Sequence, residues 1–136
     1  MPTAADAVVL DASAFVHVYT ERTASADDAR RRFAHLTVHT PHLFVAEVGS
    51  VARRLVLGGG ASAERGLALI DGAASISSRQ HPHRPLVRLA WSLRRTVSFY
   101  DALYVALAAA LSVPLLTADA RLTRSPGLPC DVQLVD

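Results

Sequence analysis

Four of the twelve acidic residues stand where a carboxylate needs an explanation. Asp11 directly follows the apolar run Ala7-Val8-Val9-Leu10, and Asp119 follows Val113-Pro114-Leu115-Leu116-Thr117 in the same relation. Glu47 has Leu43, Phe44 and Val51 as its helical neighbours, so it points along an apolar face. Asp101 opens the run Ala102–Leu111, which has no polar face. An unpaired buried carboxylate needs a cation or must stay protonated. Two parallel strands ending in Asp11 and Asp119 bring both acids to one sheet edge. If all four converge there, their mutual repulsion calls for a cation, and an oxygen-only donor set selects a hard one. Mg²⁺ is expected, with Mn²⁺ as a substitute, rather than zinc.

Each acid also has a simpler explanation. Asp11 or Asp119 caps the helix that follows it, and Glu47 pairs with Arg53, Arg54 or Arg88. Ser98-x-x-Asp101 is a capping box, which is compatible with ligation because a cap uses one oxygen and leaves the other free. The remaining acids lie in first helical turns (Asp27, Asp28, Glu64) or in loops and at ends. The six His residues offer no competing metal motif: His81-x-His83 lies in a Pro-flanked stretch read as a solvated loop, and His35, His39 and His42 align with no strand-borne acid.

The elements that must position these groups follow from periodicity. Ala7–Leu10 reads as a buried strand. Ser25 and Asp28 suggest a capped helix running to about Leu36, and Val38-His39 a short strand. Thr40-Pro41 opens a helix that stops at Gly58-Gly59-Gly60. Ser62 starts another to about Ala73, and Ile76-Ser77-Ser78 is a candidate strand. Pro85 opens a helix with Leu86, Ala90, Leu93 and Val97 at helical spacing. Ser98 caps Phe99–Leu111, which is apolar on every side and therefore central. Val113–Thr117 is a buried strand, a short helix follows Ala118, and Val132–Val135 is the last strand. Apolar strands alternating with helices imply an α/β fold, a parallel sheet covered on both faces, with ligands at the carboxyl ends of its strands.

Composition sets the bounds. The 136 residues suit one domain, 1–136, and 51% hydrophobic against 19% charged residues exclude a disordered chain. One cysteine, Cys130, excludes an internal disulfide or a Cys-rich zinc site and suits a reducing compartment. No signal peptide or membrane span is legible, so the expected location is the cytoplasm. All 14 basic residues are Arg. Setting the four site acids aside leaves eight acids against those 14, a surplus that permits nucleic-acid binding. Arg53-Arg54 and Arg94-Arg95, close in sequence to Glu47 and Asp101, are the candidate phosphate contacts. Phe99 and Tyr100 are candidate base-stacking residues, whereas Trp91 is assigned to the core.

The ordered set Val8-Val9-Leu10-Asp11-Ala12-Ser13, Phe44-Val45-Ala46-Glu47-Val48, Tyr100-Asp101-Ala102-Leu103 and Leu116-Thr117-Ala118-Asp119 resembles the PIN-domain family, in particular its VapC-type toxin ribonucleases. The resemblance spans nearly the whole chain. It implies a three-layer α/β/α sandwich, a Mg²⁺-dependent endoribonuclease acting on single-stranded RNA, a homodimer and a small VapB-like antitoxin. Asp11, Glu47, Asp101 and Asp119 match the family's acidic quartet, and Ser13 and Thr117 its hydroxyl positions beside the metal. Water activated by one or two such ions attacks in line and leaves a 5′-phosphate and a 3′-hydroxyl, since no His pair is offered to activate a ribose 2′-hydroxyl. Two rivals remain: an inactive PIN-like domain acting as an RNA-binding or repressor partner, and a phosphatase with Asp11 as nucleophile. The second is weakened because Ser13 stands where such enzymes carry another Asp.

Overall fold

Among the described residues five short strands form one sheet in the order β3-β2-β1-β4-β5, with every neighbouring pair parallel. They are β1 (Ala7–Leu10), β2 (Thr37–Pro41), β3 (Arg79–His81), β4 (Leu115–Thr117) and β5 (Val132–Leu134). The computed structural model describes residues 6–136. Every residue of β1 and β4 is buried, the state expected of apolar runs in a parallel sheet covered on both faces.

Among the described residues seven α-helices accompany that sheet: α1 (Ala12–Thr20), α2 (Ala24–Phe33), α3 (Leu43–Leu57), α4 (Ala63–Ile76), α5 (Val87–Ser92), α6 (Phe99–Leu111) and α7 (Ala120–Thr123). The chain steps from β1 to β2 to β3 in one direction and then returns to β4 on the other side of β1. Right-handed crossovers therefore place α1–α4 on one face and α5–α6 on the other, an α/β/α sandwich. The order reverses between β1 and β4, and the crevice beyond their carboxyl ends is the ligand-binding position of such sheets. The seven consecutive residues Ala102–Ala108 of α6 are all buried, which agrees with its all-round apolar sequence.

Several local expectations are corrected. Thr23, not Ser25, caps α2, its side chain accepting from Ala26 N at 3.1 Å, and the helix ends at Phe33. Thr40-Pro41 ends β2 instead of opening α3. Thr40 is buried with its hydroxyl 2.7 Å from Ser77 Oγ, so it serves the core rather than a cap. His83 Nε2 takes the cap's role by accepting from Leu43 N at 3.0 Å. The third strand is Arg79–His81, not Ile76-Ser77-Ser78; it runs into the stretch around His81 expected to be a loop, and Ile76 ends α4. Helix α1 is the helix that the simpler explanation of Asp11 calls for, and Asp11 caps it by accepting from Ala14 N at 2.9 Å.

Trp91 is 60% exposed, not in the core; it carries the Arg94 guanidinium over its ring at 5.0 Å. His39 and His81 face each other across β2 and β3, their ring nitrogens 2.9 Å apart, so His81 is not a solvated loop residue. Burial, and for His39 the proximity of His81, lowers both pKa values. A His pair does therefore exist, but its facing nitrogens are engaged with each other rather than with a substrate.

Phe15 fixes α1 to its neighbours. Its ring stacks on Tyr19 at 4.6 Å, meets Phe44 of α3 edge-on at 5.7 Å, and lies against Gly72 of α4, where an added Cβ would come within 3.4 Å of it. Phe15→Ala is expected to cost about 3–5 kcal/mol of stability, read from the midpoint of urea unfolding.

Candidate active site

Asp11 is 5% exposed, an extreme position for a carboxylate. It sits at the junction of β1 and α1, where its Oδ1 accepts from Ala14 N (2.9 Å) and from the Ser13 hydroxyl (2.6 Å). Ser13 Oγ also accepts from Ala118 N (3.1 Å) and lies 3.2 Å from Thr117 Oγ1, which accepts from Asp119 N (3.0 Å). These hydroxyls link the end of β1 to the end of β4. Burial raises the Asp11 pKa; hydrogen bonds from Ser13, Thr117 and Ala14 oppose the rise, and the charge of Asp101 adds to it.

Glu47 projects from the middle of α3, where no helix terminus offers it backbone N–H groups. Its partner is the Tyr104 hydroxyl of α6, which donates to Oε1 at 2.6 Å, rather than an Arg. Burial raises the Glu47 pKa, Tyr104 lowers it, and Asp101 and Asp11 raise it. Burial and the Glu47 charge push the Tyr104 phenol far above its ordinary value, so it remains a donor. Asp101 lies in the first turn of α6, which Ser98 caps by accepting from Asp101 N at 3.2 Å. Burial raises its pKa, the Ser98 hydrogen bond opposes this, and Asp119 raises it further.

Asp119 differs from the other three. Its Oδ1 caps α7 by accepting from Arg121 N at 2.9 Å, and the Arg121 guanidinium donates from Nε to Oδ1 (3.3 Å) and from Nη2 to Oδ2 (3.2 Å). This partner holds the Asp119 carboxyl below its ordinary range.

The structure therefore collects all four sequence-selected acids into one electrostatic set. Asp101 acts on Asp11 and Glu47, Asp11 on Glu47, and Asp119 on Asp101. Among the described residues, no three His, Cys, Asp or Glu side chains are drawn close enough to hold a metal ion as they stand. As they stand, Ser13 and Ala14 engage Asp11, Tyr104 engages Glu47, and Arg121 engages both oxygens of Asp119. The donor chemistry nevertheless fits a hard divalent cation, because the set is carboxylate and hydroxyl oxygen only and three of its acids are destabilised as anions.

Two clefts of about 370 Å³ each flank the acids. Glu47, Ser50, Arg54 and Tyr100 line one; Ser98, Asp101, Asp119, Arg121 and Ser125 line the other. Of the candidate phosphate contacts, Arg54 borders a cleft, Arg94 lies over Trp91, and Arg53 and Arg95 line neither cleft. Tyr104 and Arg121 were missed from sequence. Tyr104 carries the only side-chain polar atom in the run Ala102–Leu111 and stands three residues from Asp101, a signal that was available.

Comparison with known proteins gives a consistent result. The model of the PIN domain family matches residues 8–128. The chain is 46% identical to Ribonuclease VapC1 of Mycobacterium tuberculosis (strain ATCC 25618 / H37Rv) over 131 residues, covering 96% of this chain and 98% of that protein. It is 39% identical to Ribonuclease VapC12 of the same strain over 128 residues, covering 94% and 98%. Among solved structures, VapBC2 from Rickettsia felis bound to a DNA fragment from its promoter shares the fold, with a TM-score of 0.67 at 14% identity, covering 96% of this chain and 99% of that one.

Asp11→Asn isolates the cost of the innermost charge, since the amide oxygen can still accept from Ala14 N and Ser13. A raised acid pKa means that the fold favours the neutral carboxyl. The stabilisation present at low pH is lost as pH rises through the folded-state pKa. Metal-free Asp11→Asn protein is expected to melt above the wild type at pH 7, with a smaller difference at pH 4, where more of the wild-type carboxyl carries its proton. Thermal melts in chelator at both pH values check this.

Proposed function

Because the chain belongs to the PIN-domain family, and within it to the VapC ribonucleases, we propose that it is the toxin of a VapBC-type toxin–antitoxin pair, a metal-dependent endoribonuclease that cuts single-stranded RNA. The observation that carries this reading is the single charged set at the β1/β4 crevice, to which the end of β1, α3, α6 and the segment after β4 each contribute one acid. We assign Asp11, Glu47, Asp101 and Asp119 as the groups that hold Mg²⁺, with Mn²⁺ as a substitute. The nuclease unit is taken as one domain, residues 1–136.

When bound, the cation supplies charge neutralisation at the scissile phosphate and acidifies the attacking water. The chain's own residues do the positioning. Ser13 and Thr117 hold Asp11 and the backbone of Asp119 in register across two strands. Tyr104 fixes Glu47, and Ser98 fixes the first turn that carries Asp101. Arg54, beside Glu47 in its cleft, contacts RNA phosphate, and exposed Tyr100 on the same wall presents a ring to a base. Arg53, Arg94 and Arg95 extend the positive surface around the site.

The antitoxin requires a separate surface. A groove of about 580 Å³ between α1, α3 and α4 is lined by Val16, Val51, Leu55 and Leu69, with Arg22 and Arg65 on its walls. Apolar walls with two cations fit an amphipathic segment carrying carboxylates, and we assign the antitoxin there. A second copy of the chain completes the assembly. Val87 and Trp91, one turn apart and exposed on α5, offer it an apolar face.

Cleavage of a labelled single-stranded RNA is expected to require Mg²⁺ or Mn²⁺, to stop in EDTA, and to fall by orders of magnitude in Asp11→Asn, Glu47→Gln and Asp101→Asn. Tyr104→Phe is expected to lose about 10–100-fold, as for a group that orients a ligand. Sequencing of the product ends should find 5′-phosphates; 2′,3′-cyclic ends, or cleavage indifferent to chelator, would overturn the mechanism. Arg65→Glu is expected to weaken antitoxin binding in a titration while leaving RNA cleavage intact.

A further inference from the structure

One of the four acids already has a cation. Both oxygens of Asp119 are taken by Arg121, two residues further on, through its backbone N–H and its guanidinium fork. The other ion pairs among the described residues, Asp27–Arg30 and Asp28–Arg31, lie on α2 away from the site. Arg121 is thus the basic group seated directly on the quartet. Its field also reaches Asp101, and its side chain shares a cleft wall with Asp101, Ser98 and Ser125.

A carboxylate held at both oxygens by a guanidinium is a poor ligand, so keeping this fork and coordinating an ion exclude each other. The pair is built to be broken: the Arg121 side chain is 86% exposed, and solvent and salt screen such a contact strongly. Its release leaves a planar cation on the rim of the cleft beside the acids. That group matches a phosphodiester oxygen pair as well as it matches a carboxylate.

We propose that Arg121 and the divalent cation are alternative partners of Asp119, and that the displaced guanidinium is a phosphate contact for the RNA. Arg121 is then a positioning residue whose availability follows metal loading. Four acids alone would repel an RNA backbone. The exchange adds the charge of the ion and frees the charge of the arginine in one step. This inference rests on the metal-dependent ribonuclease reading above.

The test measures two equilibria on the full chain. In calorimetric titration with Mn²⁺ at low salt and without RNA, Arg121→Gln is expected to bind the ion a few-fold more tightly than the wild type. Arg121→Lys, which keeps a charge without the fork, is expected to bind nearly as tightly as Arg121→Gln. In cleavage of a labelled single-stranded oligoribonucleotide at saturating Mn²⁺, Arg121→Gln is expected to raise KM more than it lowers kcat. The slope of log KM against log salt should shrink by about 0.7, the loss of one phosphate contact to a single strand. Unchanged Mn²⁺ affinity in Arg121→Gln, or wild-type affinity in Arg121→Lys, would overturn the exchange. An unchanged salt slope would overturn the phosphate contact. If the wild type itself binds no Mn²⁺ at millimolar concentrations, the metal reading falls and this inference falls with it.

Discussion

Negative charge gathered at one edge of a sheet is the constraint on which the rest of this structure turns. A carboxylate loses hydration when it is buried, and a second one nearby makes the loss worse. Three of the four acids meet that cost in the same way, by standing at the start of a helix. Asp11 opens α1, Asp101 lies in the first turn of α6, and Asp119 opens α7. Helix N-termini present unpaired N–H groups and the positive end of the dipole, which offset part of that cost. Glu47 has no such terminus, because it sits inside α3. Its compensation comes from another element, the Tyr104 phenol, and this explains a polar atom within an otherwise apolar helix.

Topology decides which residues can share that edge. Helices α3 and α6 cover opposite faces of the sheet, so their side chains meet only beyond the strand ends. The Tyr104–Glu47 hydrogen bond is a clasp across that gap. A second link runs through Ser13 and Thr117, joining adjacent parallel strands by hydroxyls where the backbone ladder stops. Both links fix side chains rather than backbone. They hold the inner part of the site in register, while the segment carrying Asp119 is tied by its own short helix and by Arg121.

The sequence was most legible where one physical signal dominated. Ala7–Leu10 and Phe99–Leu111 were read with the bounds they have, because an uninterrupted apolar run must be buried and Ser98 is an unambiguous cap. The acids stand out for a different reason: Asp11 and Asp119 end apolar strands, Asp101 starts an apolar helix, and Glu47 is a charge on an apolar helical face. What failed was governed by partners distant in sequence. Strand β3 has no apolar residue in Arg79-Gln80-His81 and exists because β2 offers it a free edge. Thr40-Pro41 looks like a helix start, yet Ser77 claims the threonine and β3 claims the proline's strand position. Trp91 reads as part of the apolar stripe of its helix, yet its own side of that helix turns outward. Arg121 was invisible because nothing in its type or spacing marks it; only the fold shows that it meets Asp119.

Partners divide the quartet, and the division has a chemical consequence. Asp11 is nearly sealed, Glu47, Asp101 and Asp119 are partly exposed, and of the four Asp119 is the one with a guanidinium on it. The direction of the pKa shifts follows: Asp11, Glu47 and Asp101, where burial dominates, are raised, and Asp119, held by Arg121, is lowered. Those three are the ones that gain most from an added cation, since their anionic forms are the least stable without it. Asp119, which shares its cleft with Asp101 and Arg121, already has a counter-ion. A cation held at this edge would therefore be worth most to the acids that lack a partner of opposite charge and least to the one that Arg121 already holds.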